Sequence, residues 1–125
     1  MGSARTIGVV LVPGLMCLAA AVRAAPEMTA TFAVCTGQLS AYVEHHWLMV
    51  RDPVQAEADY AAMGDVLDAV TDPAMAAQIM GWRVSAKVAM REMLQRADLQ
   101  NDTAARERAA ALIGECRRLI GAPGA

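Results

Sequence analysis

Both histidines of the chain stand side by side, in the stretch Tyr42-Val43-Glu44-His45-His46-Trp47-Leu48-Met49. Imidazole, phenol and thioether groups at this density raise the question of a soft-metal site. Neighbouring residues on a helix point about 100° apart, so the two imidazoles cannot share one ligand from the same side. His46 falls on an apolar stripe with Tyr42, Val43, Met49 and Val50 and is expected to be buried. His45 falls at the margin of that stripe and is expected to be largely exposed. Met49 follows His46 by one turn, and Met90 and Met93 stand at i and i+3 on a later segment. Imidazole with thioether suits Cu(I), so His46, Met49, Met90 and Met93 form the candidate copper site. Methionine is equally the filler of irregular cores, and a histidine on an apolar stripe can be satisfied by a backbone carbonyl or by Tyr42. The second reading is preferred and no cofactor is expected, with copper as the alternative. Covalent haem would need C-x-x-C-H, which the sequence lacks.

Catalysis finds less support. A Ser or Cys nucleophile needs an adjacent base and a third orienting group, and neither Ser40 nor Ser85 has them in sequence. There is no Gly-rich phosphate loop, no H-E-x-x-H and no EF-hand pattern. The chain is read as a non-enzyme. One further row is suggestive: Met80, Val84 and Val88 lie on the side of their helix away from its main apolar stripe. A bundle that wets such a row gains nothing from it, which makes it the expected partner surface.

The elements that would carry these groups are helical. Ala, Leu, Met, Arg, Glu and Gln dominate and β-branched runs are scarce. Asp52-Pro53 and Asp72-Pro73 each offer a capping acceptor followed by a proline whose missing N–H costs nothing at a helix start. Asn101-Asp102 gives another start, and Thr29 or Thr31 the first. Gly121, with Pro123 and Gly124 beyond it, closes the last helix. Between these marks apolar residues recur at steps of three and four: Phe32, Cys35, Leu39 and Tyr42; Ala56, Tyr60, Met63 and Leu67; Ile79, Trp82, Ala86, Met90 and Met93; Ala105, Ala109, Leu112 and Cys116. Four such stripes joined by short connections predict an all-α, up-down-up-down four-helix bundle. In that topology Cys35 and Cys116 each lie about five residues, roughly 7.5 Å, from the same end, and a disulfide between them is expected. The second helix carries only acids, Glu57, Asp59, Asp65 and Asp68, while the third and fourth are rich in arginine. Those complementary flanks favour the second helix beside the third.

The start of the chain reads differently. Arg5 precedes an apolar run from Ile7 to Val22, and Val22 and Ala24 suit the −3 and −1 positions of a signal-peptide cleavage site. Residues 1–24 are therefore read as a signal peptide and 25–125 as one domain. The run is short against the ~20 residues of a spanning helix, so no stable membrane span is expected in the mature chain. Loss of Arg5 and Arg23 leaves thirteen acids against nine bases. A mildly acidic domain is a poor match for nucleic acid, which calls for a basic patch. Two cysteines after the signal fit one disulfide in an oxidising compartment. The functional expectation is an exported, periplasmic or secreted, non-catalytic binding or accessory protein of the cell envelope, partnered by another envelope protein. The alternative is a periplasmic Cu(I)-handling protein of the same fold.

Overall fold

The computed structural model describes Gly2 and residues 26–122, so the expected signal peptide, Cys17 within it, and Pro123-Gly124 lie outside the described residues. The chain folds into α1 (Pro26–Leu48), α2 (Val54–Val70), a single 3-10 turn (Pro73–Met75), α3 (Ala76–Leu99) and α4 (Thr103–Leu119). Among the described residues there is no strand, and the all-helical class is as expected. No helix among them is long and apolar enough to cross a membrane.

Local chemistry sets the boundaries. Asp52 accepts from the Val54 N–H, Asp72 from the Ala74 N–H and Asp102 from the Ala105 N–H, each at 3.0 Å. Each carboxylate satisfies one of the donors that a helix leaves unpaired at its start. The first helix differs from expectation: it begins at Pro26, ahead of both threonines. The Thr31 hydroxyl donates to the Glu27 carbonyl inside the helix, while the preset φ of Pro26 suits the first helical position. At the far end Gly121 is left-handed (φ 66°), its N–H bonding Arg118 O and the next N–H, of Ala122, bonding Arg117 O. That is the glycine cap expected for α4.

The helix α1 packs most extensively on α3, next on α2 and least on α4, while α3 also packs on α4. The widest of these faces closes around one residue. A Cβ built on Gly37 of α1 would stand 2.2 Å from the Arg83 carbonyl oxygen of α3, so the two backbones approach there as only glycine allows. No comparable face joins α2 to α3, which corrects the expectation drawn from their charges. The α2 acids Glu57, Asp65 and Asp68 are not held by that neighbour: Glu57 and Asp65 are exposed, where pairing contributes little. The buried one, Asp59, meets Arg117 of α4 instead, at 2.8 Å. The disulfide Cys35–Cys116 joins α1 to α4 with Cα atoms 5.5 Å apart, as expected.

The core is built of small and flexible side chains. Its larger cluster holds Cys35, Leu39, Met63, Met90, Met93, Leu94, Ile113 and Cys116 among alanines. A smaller one gathers Ala33, Leu67 and Ile79 with Phe32, Met75 and Trp82 against them. On α2, α3 and α4 most buried residues follow the predicted stripes, with Asp59, Leu94 and Ile113 buried beside them. On α1 they do not, because Ala33, Cys35, Gly37, Leu39, Ala41, Val43 and His45 are all buried. Alternate residues span most of a helix's circumference, and α1 has neighbours on three sides.

The turn after α1 carries strain. Val50 is left-handed (φ 54°) and 93% exposed, so a β-branched residue holds an unfavourable backbone with no packing in return. Val50→Gly is expected to raise stability by about 1 kcal/mol, read as a higher urea midpoint. A lowered midpoint would show that the side chain contributes contacts that outweigh the backbone cost.

Candidate functional site

The two adjacent histidines take opposite places to those expected. His45 is 5% exposed, whereas His46 is half-buried. With α3 occupying the side of α1 that a single stripe leaves to solvent, His45 reaches the last turn of α3. Its Nε2–H donates to the Asp98 carboxylate at 2.6 Å. Arg51, from the α1–α2 turn, pairs with the same oxygen at 3.1 Å, and Arg106 of α4 approaches the other at 3.7 Å. Arg106 also donates to the Ala97 carbonyl. One acid thus gathers α1, the following turn and α4 around the end of α3. An acid in the last turn of a helix opposes the helix dipole, and that is the sequence signal that Asp98 needs partners. Elsewhere on this pair of helices Glu44 meets Lys87.

The hydrogen bond from His45 is the main cause that holds the Asp98 carboxyl below its usual range; burial opposes it and Arg51 adds to it. A carboxyl lowered on folding contributes stability above its unfolded pKa of about 3.9, and the contribution is lost as pH falls through the lower folded value. Asp98→Asn is therefore expected to lower the urea midpoint clearly at about pH 6, with the gap to the native protein narrowing towards about pH 3. An equal gap at both pH values would show that the ionised carboxylate is not what the site uses.

Beside this network lies an open cleft of about 750 Å³ between the end of α1, the start of α2, the end of α3 and α4. It exists because the helices meet through alanine. Ala56, Ala97 and Ala109 are buried at its base, and Gly114 adds no side chain at all. Tyr42 and His46 form one wall, their rings edge to face with centroids 4.4 Å apart. The His46 Nδ1–H donates to the Tyr42 carbonyl at 2.9 Å. Arg51, Arg106, Arg117 and Arg118 line the cleft with Asp52, Asp59, Asp98 and Glu115. Asp59 is 3% exposed and both its oxygens are engaged, one by Gln55 and one by Arg117, each at 2.8 Å. No Ser, Thr or Cys lines this cleft.

The four candidate copper ligands are distributed. Met90 and Met93 come together in the larger core cluster, beside Leu39 and Met63. His46 lines the cleft, which none of the three methionines does. Met49 is half-buried beyond the end of α1 and is not among the side chains packed against that cluster. Among the described residues no three His, Cys, Asp or Glu side chains are gathered as a metal would need.

The outer row of α3 stands in solvent: Met80 is 54%, Val84 53% and Val88 38% exposed. Ala77, Gly81, Ser85 and Ala89, on the same side of the helix, are exposed too. These seven positions carry no charge; Lys87 borders the row and Arg91 lies one turn beyond Val88. No family model, curated protein or solved structure matches this chain.

Proposed function

We propose that the chain is an exported, non-catalytic binding or accessory protein of the cell envelope that meets another envelope protein through the outer face of α3. The observation that carries this reading is the uncharged, exposed row of Met80, Val84 and Val88 with small residues beside it. Such a helix face offers apolar area to a groove or a second helix, at about 25 cal/mol for each Å² removed from water. Export is supported by the disulfide, which belongs to an oxidising compartment, and by the signal-like residues 1–24. The up-down-up-down course of the helices belongs to the same reading. Gly37 against Arg83 and His45 against Asp98 support α1 and α3 running parallel, and the bridge from Cys35 to Cys116 supports α4 beside α1.

A photo-crosslinking residue at Val84, introduced in the exporting cell, is expected to give a discrete adduct that Met80→Lys removes. The same residue at Asp65 of α2, exposed but on another helix, should give none. Identical patterns from both positions, or no adduct from either, would sink the docking face. Intact mass of the envelope-derived protein should place its first residue at Ala25; a chain that retains Arg23 would count against cleavage. Mass-monitored Cu(I) titration is expected to show no stoichiometric uptake. One-to-one uptake abolished by His46→Leu would replace this reading with copper handling through His46, Met49, Met90 and Met93.

A further inference from the structure

We infer that the cleft between the four helices is a binding site for a small amphipathic carboxylate. This goes beyond the envelope reading, shares no residue with the α3 face, and stands or falls separately from it. Its volume, about 750 Å³, lies within the roughly 300–1,000 Å³ of sites that enclose small ligands.

The polarity of the ligand follows from what the lining groups have left to offer. Four arginines face four acids, but the acids are largely committed. Asp59 has both oxygens engaged, Asp98 takes His45 and Arg51 with Arg106 close by, and Asp52 caps α2. Each guanidinium, by contrast, carries five N–H groups in a fixed fork. Arg51 and Arg106 are about half exposed, and each turns only one nitrogen to its partners. Arg118 lines the cleft, its Nη1 3.9 Å from where a Cβ on Gly114 would stand. Apart from the Glu115 carboxylate, the unspent capacity is donor capacity, which an oxyanion uses in pairs of parallel N–H bonds. The base of alanines, with Leu94 and the Tyr42 ring, offers nothing to a polar body and calls for an aliphatic or aromatic one. Anion at the arginines and hydrocarbon over the alanines describe one molecule.

The test uses the exported, disulfide-intact protein, with octanoate, 1-octanol and inorganic phosphate as probes followed by amide NMR shifts. Octanoate should saturate at one per chain and move the amides of Ala109 and Gly114. Octanol and phosphate should each bind at least about tenfold more weakly, since each lacks one half of the recognition. Arg118→Gln should weaken octanoate about tenfold and leave octanol unchanged. Gly114→Leu should abolish octanoate binding while the fold persists, because the space above Gly114 holds only the end of the Arg118 side chain. Octanol binding as tightly as octanoate, octanoate binding intact in Gly114→Leu, or no saturation by any probe at millimolar concentration would each overturn the inference.

Discussion

Gly37→Ala is expected to cost about 3 kcal/mol of stability, although it exchanges the poorer helix former for the better one. The added methyl would stand 2.2 Å from the Arg83 carbonyl oxygen and 3.0 Å from its carbon. These are backbone atoms in the middle of α3, so no side chain can swing aside. Relief requires α1 and α3 to separate along the most extensive face in the molecule. The buried core that holds Leu39 with Met90 and Met93 loosens with them. Two other helical glycines supply the control. Gly64 and Gly81 have nothing within 4 Å of where a methyl would stand, and alanine at either should raise stability by roughly 0.5–1 kcal/mol. The urea midpoint of the first variant should therefore fall while those of the other two rise. A Gly37→Ala midpoint at or above that of the native protein would mean that the helices do not meet so closely.

The second large effect belongs to the disulfide. Replacing both Cys35 and Cys116 with alanine is expected to lower stability by about 4 kcal/mol, the loop-closure value for partners 81 residues apart. For a domain whose total stability is of order 5–15 kcal/mol, that is a large share. The loss should also be uneven. The face between α1 and α4 is the least extensive of the main helix faces, so the covalent link is the principal tie between them. Amide exchange in α4 should quicken before that in α1 and α3, because those two keep the contact around Gly37. Labelling of both thiols in the folded, non-reduced protein would refute the bridge itself.

What could be read in advance depends on the range of the interaction. Helix starts at Asp52, Asp72 and Asp102 are legible because a carboxylate caps donors two or three residues away. The first start misleads because Thr29 and Thr31 look like caps, yet lie within a helix that Pro26 begins. The candidate cleft is almost invisible in sequence. Only His46 and Tyr42 among its residues stand out, since alanines and a glycine spaced along three helices carry no local mark of the space they leave. The α3 row, in contrast, is legible, because residues off the main stripe of a helix with one buried side have only solvent or a partner to face.

Spacing alone fixes the helical class, most of the helix ends, the buried faces of α2, α3 and α4, and the pair of cysteines that is joined. Each of these rests on a pattern within one segment or on there being a single partner to choose. Three features wait for the packed molecule: the side of α1 that matters, the glycine that cannot change, and the pairing of Asp59 with Arg117 across 58 residues. All three trace to the place of α1 and its neighbours among the helices. A helix packed on three sides has no solvent face for a periodic pattern to declare, so His45 meets Asp98 where the pattern names His46 as the buried one. Gly37, Gly64 and Gly81 are alike in sequence, and they differ only in whether another backbone passes within 4 Å.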